Sequence, residues 1–547
     1  MKTLNRSTFT RGTAFRWSWL GALVALLISA VTALGAQSSA QSAQTQIPTV
    51  TGPIPITEDS YPFTAEGTDL AAHGYTLDEY FISGTANVYD WGADGNAETP
   101  QVRTADAPYT TRILVRRPTD PDQFSGTVWV ELNNPSRRWD IEVEWPTVQE
   151  KVMRDGDIWV AATVKPISIA SLQRFDAERY GPLSMANPLP PEEQTCGNLP
   201  GEDGYDENVS KLFENGLVWD IVSQVGALVR DEGADNPLNG YNVQYVFVTG
   251  ESQTSWFLQT YGANFVGQAT LADGVTVYDG IVSVSGAGRT TPISQCVPAT
   301  EYEDPRSFLP SKHIPFMRID AQADIFGLGG YLWSQPEDSD DPEAGYRRYE
   351  IAGAPHGPAF ITSYQPATAD IEKAGLPEFP TAVYAYGCVE PRANSLPRQY
   401  IEPAMFTNME NWVKYGTRPP LAEPIHMIDG VGSETSLFGE PINASFELDE
   451  FGNVLGGVRS PYVDVPFATY QTPTPGNLKE GYPYCWSFGY EDLFGTEQLG
   501  DLYATPLAHQ NYVAQVKRSV QKMVRGRWVL PEDAQKIIQE AEFRPIP

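Results

Sequence analysis

Tyr245-Val246-Phe247-Val248-Thr249-Gly250-Glu251-Ser252-Gln253-Thr254-Ser255-Trp256-Phe257-Leu258 decides the fold. Tyr245 to Val248 reads as a buried strand, Thr249 to Ser252 as a sharp turn, and Trp256 to Leu258 as part of a helix. The same alternation repeats outward along the chain. Residues 111–117 alternate like a strand with one solvated face, and 127–132 and 158–164 are more continuously apolar. Further strands are predicted at 279–286, 314–319 and 347–351. Helices are predicted over 145–155, stopped by Gly156, and over 217–229, where Leu217, Ile221, Val222, Val225, Leu228 and Val229 recur at helical spacing. Apolar strands separated by helices predict an α/β fold with a mostly parallel central sheet covered by helices on both faces.

This core is expected to span 105–365, with a Pro-rich loop insertion at 166–210 around Cys196. Residues 41–104 hold only short strand-like pieces and are expected to form an N-terminal segment packed on the core. Residues 366–547 form a C-terminal extension, with helices near 398–415, 508–525 and 531–541 and a hairpin-like piece at 446–453. Insertion and extension are expected to cap the core. Phe175, Tyr180, Trp412 and Trp486 are either pocket-lining or ordinary core residues.

The first forty residues read as an address. Lys2, Arg6, Arg11 and Arg16 precede an apolar run from Trp19 to Leu34, and Gly35-Ala36-Gln37-Ser38-Ser39-Ala40 closes it. This is the plan of a secretory signal peptide, cleaved after Gly35, Ala36 or Ala40. A periplasmic or secreted mature chain is therefore expected. No later run approaches about 18 unbroken apolar residues, so the mature form is expected to be free of the membrane. The whole chain carries 37 Lys plus Arg against 69 Asp plus Glu, a formal charge of -32. Removing the four leader cations takes that from -32 to -36. Such a chain repels phosphate backbones, which excludes a general nucleic-acid binder. At 41% hydrophobic and 12% aromatic it can bury a large core, which excludes disorder.

Four cysteines, Cys196, Cys296, Cys388 and Cys485, form no C-x-x-C pair, so zinc and thioredoxin-type readings fail. In an oxidising compartment they suggest two disulfides. Of three pairings, Cys196–Cys296 with Cys388–Cys485 is preferred, because each then closes a loop within one half of the chain.

Gly250-Glu251-Ser252-Gln253-Thr254 matches the nucleophile elbow Gly-x-Ser-x-Gly except at its last place. A strand-to-helix turn this tight needs small residues two before and two after the nucleophile, and it projects the serine oxygen outward. A hydroxyl needs a base at neutral pH. Of His73, His313, His356, His426 and His509, only His356 follows the last predicted sheet strand, in Ala352-Gly353-Ala354-Pro355-His356-Gly357. The acid is expected after the preceding strand, where Asp324 is favoured and Asp320 is the alternative. The oxyanion is expected to meet the backbone N–H of Gln253 and a second donor from the loop after 127–132, Asn134 or Ser136. No metal or organic cofactor is implied. Nothing in the sequence sets the oligomeric state.

The chain resembles a group of large secreted bacterial proteins carrying a little-characterised alpha/beta-hydrolase domain. The resemblance rests on Gly250-Glu251-Ser252-Gln253, on Ile351 to His356, on Trp412-Val413-Lys414-Tyr415-Gly416-Thr417-Arg418-Pro419-Pro420 and on Gly452-Asn453-Val454-Leu455-Gly456-Gly457-Val458-Arg459. The family usually has a small residue where Thr254 stands. The resemblance implies an alpha/beta-hydrolase fold and a serine hydrolase acting on a small-molecule carboxylic ester. An amidase or peptidase using the same triad, and a non-catalytic binding protein on the same scaffold, are the competing readings.

Overall fold

The computed structural model describes residues 44–547 apart from 66, 197–210, 309–312, 334–335, 342–343, 359–363, 377–391 and 473–484. The expected signal peptide, Cys388 and the side chains of Cys485 and Trp486 lie outside the described residues.

A nine-stranded sheet organises the described chain. Its strands are β1 (Thr49–Thr51), β2 (Tyr75–Asp90), β3 (Gln101–Pro118), β4 (Thr127–Leu132), β5 (Ile158–Ala162), β6 (Tyr245–Glu251), β7 (Gly280–Val284), β8 (Phe316–Ala321) and β9 (Tyr346–Ile351). The spatial order is β1-β2-β3-β5-β4-β6-β7-β8-β9. From β5 to β9 all neighbours are parallel, and β1, β2 and β3 extend the sheet antiparallel. The chain winds outward from β4 to β5 and then returns to the other side of β4 at β6. That reversal opens a crevice at the carboxyl ends of β4 and β6, where open α/β sheets place their ligand sites.

Side chains alternate across each strand, so β4 divides its apolar residues between two cores. Val128, Val130 and Leu132 join the first, with Ile221, Val222 and Val225 of one helix (Val218–Arg230) and Phe257, Leu258 and Tyr261 of another (Gln253–Asn264). Trp129 joins the second, packed 4.7 Å from Phe247 and 4.7 Å from Phe406, ring centre to ring centre. Trp145, Val148 and Val152 of the helix Glu144–Asp155 lie in that second core. Gly156 ends this helix with φ 81°, and a Cβ there would lie 2.2 Å from the Gln123 carbonyl.

Three differences from the sequence reading have physical causes. The 41–104 segment is not merely laid on the core. It supplies β1, β2 and the start of β3, and β2 runs for 16 residues against β3. Its alternating pattern is diluted by Thr, Ser and Gly, which an antiparallel edge region tolerates. The insertion contains a helix, Pro166–Phe175, because a proline in the first turn starts a helix rather than breaking it. The extension does more than cap. Its helices Glu402–Tyr415, Ala508–Arg525 and Pro531–Phe543 supply Met405, Phe406, Val516, Val520 and Ile537 to the second core. Phe175, Tyr180 and Trp412 are core residues at 2%, 0% and 7% exposure.

Cys196 and Cys296 form a disulfide with their Cα atoms 5.2 Å apart. The bond ties the insertion to the segment after β7.

Candidate active site

β6 ends at Glu251 and the helix Gln253–Asn264 begins two residues on, so Ser252 makes the whole turn. It does so at φ 57° and ψ -116°, a conformation that L residues seldom adopt and that surrounding structure must enforce. The Ser252 N–H donates to the Val284 carbonyl of neighbouring β7 at 2.9 Å. On the helix side Thr254 is fully buried, and its hydroxyl donates to the Glu251 carbonyl at 3.0 Å. Threonine is accommodated at that place because its oxygen is satisfied by the turn and because residue 250 has no side chain.

His356 stands on the loop after β9. Gly353 in this loop has φ 77°, its N–H donates to Gln322 Oε1 at 2.7 Å, and its carbonyl accepts from Asn394 Nδ2 at 2.7 Å. His356, 8% exposed, places Nδ1 2.6 Å from Asp324 Oδ1 and Nε2 3.0 Å from Ser252 Oγ. Asp324 is fully buried, and its other oxygen accepts the Ala321 N–H at 2.7 Å. A proton on Nδ1, donated to Asp324, leaves Nε2 to accept from the serine hydroxyl.

Asp320 is occupied elsewhere. It accepts from Arg318 Nε at 2.5 Å and from the Ala287 N–H at 2.9 Å, and burial pushes its carboxyl up against the pull of Arg318. The other histidines stand apart from Ser252. His426 sits between Glu423 and Glu447 at 3.5 and 3.4 Å, and His509 Nε2 lies 3.1 Å from the Glu542 carbonyl. His313 precedes β8 at the opposite end of the sheet, and His73 precedes β2.

Gln253 is the first residue of its helix, so its N–H has no intrahelical acceptor and lies where the helix dipole favours an anion. Of the expected second donors, the Asn134 N–H and Nδ2 and the Ser136 N–H are engaged elsewhere. The Asn134 N–H is spent on the Ile141 carbonyl at 2.9 Å, its Nδ2 donates to the Glu251 carbonyl at 2.8 Å, and its Oδ1 accepts the Ser136 N–H at 2.8 Å. The loop folds back on itself through an Asn134–Ile141 bridge, which engages the Asn134 N–H. Asn133, the residue before, is 1% exposed, and its side-chain amide has no hydrogen-bond partner at either atom among the described residues.

Residues 50–539 match the description of the alpha/beta hydrolase domain family. The chain belongs to that family. This hydrolase has no match among curated proteins. Among solved structures it is similar to an esterase from Pyrobaculum calidifontis, with 13% identity, 56% of this chain and 83% of that one covered, and a TM-score of 0.27. It is also similar to a glucuronoyl esterase from Solibacter usitatus, with 9% identity, 60% and 86% covered, and a TM-score of 0.27. A poly(3-hydroxybutyrate) depolymerase from Bordetella parapertussis matches at 12% identity, 49% and 90% covered, and a TM-score of 0.25. Likeness at this level says nothing of this hydrolase's substrate.

Two buried polar residues, Asn133 and Glu251, were not among the candidates read from the sequence. Asn133 lay one place before the expected donors. Glu251 lies in the predicted sharp turn, and it is 3% exposed and ion-paired with Arg398 of the extension at 2.9 Å. A carboxylate inside a buried strand–turn–helix unit is itself the signal that a cation must be found elsewhere in the chain.

Proposed function

We propose that this hydrolase is an exported serine esterase that works through an acyl-Ser252 intermediate. The observation that carries the reading is the unbroken chain from Asp324 through His356 to Ser252, at 2.6 and 3.0 Å. Ser252 Oγ attacks the ester carbonyl while His356 Nε2 takes its proton, and the oxyanion meets the Gln253 N–H and Asn133 Nδ2. Collapse breaks the C–O bond, and His356 returns the proton to the leaving alcohol. Water then attacks the acyl-enzyme by the same route, and Ser252 regains its proton. Asp324 orients the imidazole and stabilises the imidazolium that forms.

A buried amide donor without an acceptor among the described residues supports Asn133 in this role, because an oxyanion site must stand ready before charge develops. The mature charge of -36 favours a neutral ester over a polyanionic one. Export follows from the basic and apolar leader and is checked by sequencing the mature N-terminus from the periplasmic or secreted fraction.

An amide bond would use the same machinery. A panel of p-nitrophenyl esters and anilides separates the two, and cleavage of anilides without esters sinks the esterase reading. A non-catalytic role is tested with a fluorophosphonate probe. The wild type should be labelled and Ser252→Ala should not.

A further inference from the structure

Arg398 occupies the single helical turn Arg398–Tyr400 that leads into Glu402–Tyr415, and it is 1% exposed. Its Nη1 donates to Glu251 Oε1 at 2.9 Å and to the backbone carbonyl of His356, and its Nε donates to Glu402 Oε1 at 2.5 Å. Glu251 is the residue immediately before Ser252, and its own carbonyl is clamped by Asn134 and Thr254. One buried guanidinium therefore joins the turn that presents the hydroxyl to the loop that presents the imidazole. These two elements are 104 residues apart in sequence. A planar guanidinium donates in fixed directions, so it sets distances where an ammonium would only supply charge. A buried ion pair is a poor way to gain stability alone, because desolvation consumes most of the attraction. Glu144 faces the same cluster. Burial, with Glu402 and Glu251 beside it, pushes its carboxyl well above the ordinary range.

We infer that Arg398 is a positioning residue: through Glu251 and the His356 carbonyl it fixes the imidazole at reacting distance from Ser252. The inference rests on the triad reading above. A displacement of about 1 Å at a reacting pair costs on the order of a hundredfold in rate, which is the scale at issue.

The test uses full-length protein and p-nitrophenyl acetate, with kcat expressed per site titrated to completion by a fluorophosphonate. Arg398→Lys keeps the charge and loses the fork. It is expected to lower kcat per site by about 10- to 100-fold, with KM within about threefold and the labelling rate slowed in proportion. A merely structural role would lower the Tm and the number of titratable sites while leaving kcat per site unchanged. An Arg398→Lys protein within about twofold of wild-type kcat per site overturns the inference. If that variant does not fold, Glu251→Gln decides the matter, since it keeps an acceptor but breaks the ion pair. A lowered kcat per site at constant KM supports the inference, and an unchanged one overturns it. If the wild type is not labelled, or Ser252→Ala labels as strongly, the triad reading itself fails and the positioning role falls with it.

Discussion

Gly250 and Thr254 meet across the elbow so closely that a Cβ on Gly250 would lie 2.8 Å from the Thr254 hydroxyl and 3.0 Å from its Cβ. Each residue is conditioned by the other. A threonine at the second place is tolerated only because the first place is empty, and the glycine is required here for space. Gly250→Ala is expected to destabilise the fold by about 1–3 kcal/mol through overpacking. The same change in a Thr254→Gly background should cost clearly less. A double-mutant cycle by denaturant melting measures the coupling, and additive losses would show that the contact is not the cause.

The two aspartates near the carboxyl end of β8 should separate by function. Asp324→Asn is expected to lower kcat by about 10³–10⁴-fold, because an amide cannot hold the useful imidazole tautomer. Asp320→Asn should leave kcat within about threefold and instead lower the Tm, since it leaves the Arg318 guanidinium buried beside a neutral amide. Steady-state kinetics with thermal melting on both variants checks the pair. The opposite pattern would exchange their roles.

Asn133→Ala removes a donor with no partner among the described residues, so little stability should be lost. kcat should nevertheless fall by about 10²–10³-fold with KM little changed, the signature of a bond made only as the oxyanion forms. An unchanged kcat would remove Asn133 from the site and return the search to other donors of that loop.

Glu131 lies inside β4, where burial first and then Glu142 push its carboxyl up to about 8 from 4.5. A carboxyl with a raised folded value binds more protons folded than unfolded between these two limits. Its contribution is fully present below pH 4.5 and is lost as the pH rises through about 8. The wild-type Tm is therefore expected to fall between pH 5 and pH 8 more steeply than that of Glu131→Gln. Melting curves across that range read the slope, whatever the absolute Tm of the variant. Parallel slopes would mean that Glu131 does not carry the effect.

Much of the candidate site was legible because α/β order fixes where each role falls along the chain. Ser252 follows a buried strand and opens a helix, and His356 follows the last sheet strand. Position alone favours Asp324 over Asp320, because Asp320 stands at the end of the predicted strand and Asp324 just beyond it; that Arg318 claims Asp320 shows only in the folded chain. The partners of Asn134 were not legible for a related reason. A loop that bridges back on itself spends its N–H groups internally, and only the folded path reveals this.

The sequence by itself determined the βαβ alternation, the elbow and the order Ser252, Asp324, His356, because local propensity, apolar periodicity and turn chemistry act over a few residues. Tertiary structure alone decided that β2 belongs to the sheet and that the extension builds the second core. It alone decided that Arg398 reaches Glu251 and the His356 carbonyl. These are contacts between residues far apart in the chain, selected by the burial of charge and apolar surface in three dimensions, and no local pattern encodes them.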